Sequence, residues 1–490
     1  MHVSPLIIVS FAFYLIVVLM IGFYAYQKTQ DATDYFLGGR NLPAWVAALS
    51  AGASDTSGWL LIGLPGYAYI AGLEAVWIAL GLCLGVGLSW KVLAKRLRVF
   101  TYAMDNALTL PAYLQRRFQD SKPWLRVICA VFILLFFLFY VSSGLIGGAK
   151  LFNTVFGLPY HWAVWAGVFA IISYTLFGGF LAVSWTDVVQ GLLMTVALIV
   201  VPIAVINSLG GVELAIDRIA TQNVELLSLW TDKAGKPLGW IAIVSLLGWG
   251  LGYFGQPHIL ARFNAIRRPQ DIAQATRIAL SWSLLVYSGA ILVGLIGIAY
   301  FPSPLEDSER VFMLMVEGLF HPAVAGILLA AILAAIMSTA DSQLLVCSSA
   351  LAQDLYLLMN KREVSAAQNI GLGRWSVILL ALLAALFAMD PESQVLDVVS
   401  YAWAGLGAAF GPTLLLSVYW RRMTAQGALA GVIVGGVTVL VWKQLSGGWF
   451  ELYELVPGFL LSFVAVLAVS YLTPLPDKVA KQFDDALKQL

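Results

Sequence analysis

The sequence predicts an all-α integral membrane protein with about 13 transmembrane helices, a run of about 20 apolar residues being what one crossing needs. Three observations predict it. The 490-residue chain is 60% hydrophobic and only 11% charged, far too apolar for a soluble protein of this length. Its apolar residues fall into long runs separated by short polar stretches. Two of those runs are interrupted by clustered glycines, one around Gly52 and Gly58 and one from Gly248 to Gly255.

The runs lie at roughly 4–26, 42–66, 74–94, 125–150, 161–181, 186–208, 238–260, 275–301, 319–352, 373–389, 394–420, 425–445 and 451–472. The run at 319–352 is long enough to tilt or to project from the bilayer. The first run has no basic segment before it and no small-residue cleavage site after it, so it reads as a first span rather than a signal peptide. With the N-terminus outside, all but six of the 28 Lys and Arg residues fall on inner loops or the C-terminal tail. The exceptions are Lys150, Arg218, Lys233, Lys236, Arg310 and Lys443. The positive-inside rule supports that orientation, with a cytoplasmic C-terminus, in a plasma membrane. The outer loops carry acids instead, among them Glu213, Asp217, Glu306, Asp307 and Glu309.

Several function classes are set aside by composition. A net charge of +1 gives no reason to expect nucleic acid. Cys83, Cys129 and Cys347 are odd in number and lie within apolar runs, which reads as buried thiols. The four histidines are scattered, no phosphate-binding GxxxxGK[ST] loop is present, and the 209–237 loop is too short for a soluble domain. The lipid bilayer is the expected surrounding, with no organic cofactor and no oligomer required.

Setting aside the first run (1–41 with its inner loop) and the last two (421–490 with the tail) leaves a core at 42–420. The broken runs open its two halves, about 42–210 and 238–420. Each half holds five spans, an odd number, so the halves have opposite orientation. That is the inverted repeat of LeuT-type transporters, whose binding site lies at the midplane where helices are discontinuous. An unpaired backbone group in hydrocarbon costs several kcal/mol, so a helix is broken there only where the break lines a cavity.

Asp55 sits at the first break among Ser54, Thr56 and Ser57. A carboxylate inside a span costs about 2.5–3.5 kcal/mol on insertion scales, which marks it as functional. Carboxylate, hydroxyl and freed carbonyl oxygens suit a hard monovalent cation; Asp55 as a helix cap is the structural alternative. In the ninth run, Ser338, Asp341 and Ser342 share one helical face, where hydroxyls also bond back to their own helix. Asp187, in Ser184-Trp185-Thr186-Asp187, is a third acid, at the inner start of the sixth run, where a helix N-terminus at the interface is also an ordinary place for an acid. Trp249 and Tyr253 lie four apart at the second break and, with Trp59 and Tyr140, form a candidate aromatic pocket, although such stripes are usually core packing. Half-helix N-termini at the break suit a substrate carboxylate.

At these motifs the chain resembles the sodium/solute symporter family. The matching stretches include Asp34 to Arg40 (DYFLGGR), Leu49 to Asp55 (LSAGASD), Ser57 to Leu61, Gly178 to Asp187 (GGFLAVSWTD), Ile327 to Ala335 and Val399 to Gly411. Gly248 to Phe263 (GWGLGYFGQPHILARF) is similar to the branch of that family that carries proline. The likeness runs from about residue 8 to residue 472 and implies thirteen spans with a ten-helix LeuT-type core. It implies Na⁺-coupled uptake of L-proline. It implies a sodium site of Ala53, Thr56 and Ala335 carbonyls with Ser338 and Thr339 hydroxyls, and an essential Asp55 beside it. It implies a proline site near Ser57, Trp59, Tyr140, Trp249, Tyr253 and Pro257, and a coupling role for Arg40 and Asp187. After Ser338-Thr339 relatives commonly continue Leu-Ser-Cys, whereas here Ala340-Asp341-Ser342 follow. Some relatives bind a second sodium at this level, so Asp187, Asp341 and Ser342 are a candidate second cation or proton site.

The remaining alternatives are another small amino acid or organic acid as substrate, and H⁺ in place of Na⁺. A channel would need a selectivity filter and a sensor a signalling domain; neither is evident. No nucleophile, base or metal set suggests an enzyme.

Overall fold

Helices fall on each of the apolar runs, and no strand forms among the described residues. The structure is a computed structural model and describes residues 4–27, 37–120, 122–175, 179–356 and 366–490. The motif residues Asp34 to Phe36 and Gly178, and the basic residues Lys28, Lys361 and Arg362, lie outside the described residues.

In chain order the helices are α1 Pro5–Tyr26, α2 Ala44–Asp55, α3 Leu64–Ala71, α4 Val76–Leu88, α5 Lys95–Ala103, α6 Leu110–Arg117 and α7 Trp124–Phe156. There follow α8 Tyr160–Thr175, α9 Phe180–Leu209, α10 Val212–Asn223, α11 Trp240–Gly248, α12 Pro257–Ala265 and α13 Ile272–Tyr300. The last are α14 Val311–Leu319, α15 Pro322–Ser349, α16 Ala366–Phe387, α17 Val395–Tyr419, α18 Ala425–Trp442, α19 Leu455–Leu472 and α20 Asp477–Leu487. Among the described residues nine helical stretches are long and apolar enough to cross a membrane, and three apolar helices are shorter. The stretch Trp59–Ala103 takes in the end of the run at 42–66 and the whole of the run at 74–94. It turns at Gly72, whose φ of +64° is a left-handed conformation that glycine adopts without strain.

Both interrupted runs are broken helices. Pro43 fixes the entry to α2, and the helix stops at Asp55, where Thr56 leaves helical geometry (φ −83°, ψ 69°). The chain resumes at Trp59–Gly63 as a wide i→i+5 turn, a distortion common at functional sites. The second break is longer. After α11 the chain tightens into a narrow helix at Trp249–Phe254, then Gln256 extends (φ −86°, ψ 105°) before Pro257 starts α12. Proline suits that first position because its missing N–H would have no partner there. Gly252 permits the close crossing: a Cβ there would stand 1.9 Å from Trp403 Nε1.

The centre of the molecule is α15, 83% of whose most apolar window is buried, against 28% for α1. It packs against α7, α9, α1 and α2, while α2 also rests on α9, α12 and α13. The two breaks are brought together because α4 carries the Trp249–Phe254 segment on one side and α17 closes it from the other. α20 docks on α5 and α6, with Phe483 5.3 Å from the Phe100 ring, and a bidentate Arg421–Asp484 pair ties it to the chain just after α17. Arg421 holds the Asp484 carboxyl below the usual carboxylate range.

Candidate functional site

Asp55 ends the first half-helix, so its side chain and carbonyl both face the break. The carboxylate Oδ2 accepts from the Tyr253 hydroxyl and, at 3.2 Å, lies beside that of Tyr287. Its carbonyl accepts from Trp59 Nε1 at 3.0 Å and from the Tyr140 hydroxyl at 3.2 Å. Oδ1 is buried with no protein partner. Buried polar atoms are normally paired, so a lone carboxylate oxygen at a helix break invites a cation. The Ser57 hydroxyl beside it is likewise buried and unpartnered.

The aromatic residues converge here. Trp59 lies 6.4 Å from Trp249 and 5.9 Å from Tyr287 between ring centroids, and Tyr253 meets Trp403 edge-on at 5.0 Å. Trp403 Nε1 donates to the Trp249 carbonyl at 2.8 Å, and Gln256 Nε2 donates to the Trp403 carbonyl at 3.1 Å. Thus α17 supplies the partners that an interrupted helix loses. Pro257 stands apart from the aromatic group. It lines a cavity of about 40 Å³, large enough to hold water, together with Arg262, Ser342 and Asp354.

Next to Asp55, α2 and α15 bring oxygens together. The Ser338 hydroxyl lies 2.8 Å from the Ala53 carbonyl and 3.0 Å from that of Ala335. Thr339 Oγ1 is buried without a partner, and the Thr56 hydroxyl donates to the Gly52 carbonyl at 2.9 Å. Carbonyls and hydroxyls in this arrangement can replace the hydration shell of a small hard cation.

Asp187 and Ser342 meet through a residue that sequence reasoning missed. Arg262, on α12, donates from Nη2 to Asp187 Oδ2 at 3.0 Å and to Ser342 Oγ at 2.5 Å. Its Nε donates to Ser50 Oγ at 3.0 Å, and Ser50 donates to Asp187 at 2.6 Å. The guanidinium is therefore the positive partner of Asp187 in this structure. Asp341 accepts from Thr175 rather than from Arg262, and its Oδ2 is unpartnered. Ser342 donates to the Ser338 carbonyl at 2.9 Å, which links this network to the oxygens between α2 and α15.

Arg40 lies at the end of the bundle near α5, in a left-handed conformation (φ 52°). It donates to Asn106 Oδ1 (2.6 Å), Thr101 Oγ1 (3.2 Å), the Asn264 carbonyl (2.9 Å) and the Ala107 carbonyl (2.9 Å). It thereby ties the entry to α2 to α5 and to the end of α12. Tyr287, Ser50, Thr175 and Trp403 carry no signal that separates them from ordinary span residues in one sequence, and Arg262 reads there as one more basic residue of an inner loop.

Two broken helices that meet at a buried carboxylate, inside an all-helical membrane bundle, define a secondary transporter. The sodium:solute symporter family model matches residues 35–435, and the chain belongs to that family. It is 49% identical to the sodium/proline symporter of Escherichia coli (strain K12), over 99% of this chain and 97% of that one. It is 48% identical to the high-affinity proline transporter PutP of Bacillus subtilis (strain 168), over 95% and 98%. Among solved structures, a substrate-bound outward-open Na⁺-coupled sialic acid symporter superposes with a TM-score of 0.80 at 20% identity, covering 96% of this chain and 98% of that one. The inward-facing Mhp1 superposes with a TM-score of 0.53 at 13% identity, over 93% and 99%. The fold is LeuT-type.

Proposed function

We propose that this chain is a Na⁺-coupled symporter of L-proline that works by alternating access. The observation that carries the coupling is the Ser338 hydroxyl between the Ala53 and Ala335 carbonyls, which puts cation ligands from two helices at one point beside Asp55. The substrate follows from the names of the relatives, which match almost the whole chain.

In this reading Ala53, Thr56, Ala335, Ser338 and Thr339 hold the sodium ion and Asp55 sets its affinity. Proline lies against Trp59, Tyr140, Trp249 and Tyr253, with Ser57 and Pro257 at the margins. Helix α2 moves with one body and α15 with another, so a cation bridging them favours one relative arrangement. The arrangement that binds the cation then presents the substrate pocket, and the coupling is reciprocal. The repeats are about 42–210 and 238–420, with 421–490 accessory, the N-terminus outside and the C-terminus in the cytoplasm. Arg40 holds the α2 entry against α5 and α12 during the rocking motion. Neither an oligomer nor an organic cofactor is required.

A second reading concerns Asp341. Its Oδ2 is buried and unpartnered while Arg262 serves Asp187, which favours a second cation or a proton at Asp341, with Asp187 and Ser342 close by. A sodium Hill slope near one, unchanged in Asp341→Ser, together with no effect of pH on transport, would remove it.

The test is radiolabelled L-proline uptake into proteoliposomes under an inward Na⁺ gradient or an equal K⁺ gradient, for wild type and Asp55→Ala. Uptake that requires Na⁺ and vanishes in the variant supports the proposal. Uptake driven by K⁺ medium plus a pH gradient replaces Na⁺ with H⁺, and no uptake by folded protein reopens the substrate.

A further inference from the structure

Three oxygens from three helical segments meet at Asp55. Asp55 Oδ2 comes from α2, the Tyr253 hydroxyl from the second break and the Tyr287 hydroxyl from α13. The two hydroxyls lie 2.5 Å apart, and Tyr287 is 3.2 Å from the carboxylate. With the carboxylate ionised, two phenolic protons serve three oxygen–oxygen edges, so one edge carries no proton. The Tyr287–Asp55 edge is longer than the edge between the hydroxyls, and it is the one left without. The protons therefore run in sequence: Tyr287 donates to Tyr253, and Tyr253 donates to Asp55 Oδ2. Such a chain strengthens its terminal donor, because a hydroxyl that accepts a hydrogen bond becomes a better donor.

We propose that Tyr287 is a positioning residue for the transport reaction. Through Tyr253 it fixes the rotation of the Asp55 carboxylate, so that Oδ1 stays free for the coupling cation. This rests on the reading that Asp55 takes part in sodium dependence. Three features support it. Tyr287 is buried (1% exposed) and so cannot satisfy its hydroxyl with solvent. Oδ1 is left unpartnered while Oδ2 is held by the phenol pair. The Tyr287 ring also lies 5.9 Å from Trp59 at a 32° tilt, which fixes the phenol in place independently of its hydroxyl.

The last feature makes the test clean, since Tyr287→Phe removes the hydroxyl and keeps the ring. The full-length chain in proteoliposomes is assayed for proline uptake against Na⁺ concentration at saturating proline, as wild type, Tyr287→Phe, Tyr253→Phe, the double variant and Asp55→Asn. Tyr287→Phe is expected to raise the half-saturating Na⁺ concentration about 2- to 10-fold, the size of one net hydrogen bond. Its maximal rate and its proline KM at saturating Na⁺ stay near wild type. The double variant is no worse for Na⁺ than Tyr253→Phe alone, because Tyr287 acts through Tyr253. Additive effects, a fall in rate with no Na⁺ shift, or an unchanged Na⁺ curve in Tyr287→Phe would each overturn the proposal. Should Tyr287→Phe not fold, an unchanged Na⁺ curve in Tyr253→Phe overturns it as well, and a shifted one supports it. Na⁺ dependence that survives in Asp55→Asn removes the reading of Asp55 itself, an outcome separate from the others.

Discussion

The Arg262 guanidinium stands 3.0 Å from the Asp187 carboxylate, and both side chains are shut off from solvent. The pair joins α12, which starts at the second break, to α9. Ser50 on α2 and Ser342 on α15 complete it. One ion pair thus reaches four helices around the candidate site. Removing one partner of a buried pair leaves the other charge uncompensated, so Arg262→Ala is expected to cost about 3–5 kcal/mol. Arg262→Lys falls between, because an ammonium lacks the planar fork that serves Ser50, Asp187 and Ser342 at once. Arg262→Met with Asp187→Asn recovers much of the stability without recovering transport. Thermal unfolding in detergent checks this series, and an Arg262→Ala protein that melts like wild type contradicts it.

Ser338 makes a narrower prediction. Its hydroxyl is the contact that α15 offers to the Ala53 carbonyl of α2. Ser338→Ala removes one oxygen of the proposed cation ligand set while leaving the helix and the aromatic cluster intact. The half-saturating Na⁺ concentration is expected to rise by about tenfold, equivalent to 1.4 kcal/mol. Proline affinity at saturating Na⁺ changes little. The Na⁺ dependence of proline binding to purified protein gives the answer, and superimposable curves for variant and wild type would argue against a cation between α2 and α15.

How far the sequence led can be judged from particular residues. Asp55, Ser338, Trp249 and Tyr253 were legible because a polar group or a glycine cluster inside an apolar run costs free energy and so stands out. The two breaks were legible for the same reason. Tyr287 and Trp403 were not, because an aromatic residue in a span looks like packing until its polar atom is seen to have a partner. The Arg262 guanidinium beside Asp187 was not legible either, because its place depends on how α12 returns after an extended residue at Gln256. That return is a tertiary fact, set by Trp403 and α17 rather than by local pattern.

The C-terminal helix α20 provides a pH test outside the membrane. Arg421 lowers the Asp484 pKa in the folded protein. A depressed carboxylate pKa adds stability that is present above the ordinary value of about 4 and is lost as pH falls through the folded value. Docking of α20 is therefore expected to be unchanged between neutral pH and pH values just above the ordinary carboxylate range, and to loosen only below it. Because the pair is exposed, the loosening is slight, and Phe483 on Phe100 retains most of the contact. Hydrogen exchange of residues 477–487 at a series of pH values measures it. Loosening that sets in near neutral pH would show that a different group controls the docking.

At the opposite end of α7, Lys150 makes a second buried pair whose consequences differ. Its ammonium is 2.7 Å from Glu309 Oε2 and 3.0 Å from Asp307 Oδ2, with Gln394 Oε1 at 3.3 Å. Glu309 also accepts from the backbone N–H groups of Val395 (2.9 Å) and Leu396 (3.1 Å), the first residues of α17. These are donors that no helical carbonyl can satisfy, and the helix dipole favours a negative charge there. Glu309 therefore does two things, neutralising Lys150 and capping α17, whereas Lys150 does one. Glu309→Ala removes both and leaves two N–H groups and an ammonium short of a partner. Lys150→Met leaves Glu309 on its two N–H donors, and the methionine refills the apolar volume of the lysine stem. The expected order of stability is wild type, Lys150→Met, Glu309→Ala, with about 1–3 kcal/mol between the two variants. Glu309→Gln keeps one acceptor for the α17 N-terminus and lies nearer to Lys150→Met. Since α17 carries Trp403, which holds the second break, Glu309→Ala should also slow proline uptake more than its loss of stability accounts for. Uptake normalised to folded protein tests that point, and normalised rates equal across the three variants would confine Glu309 to capping.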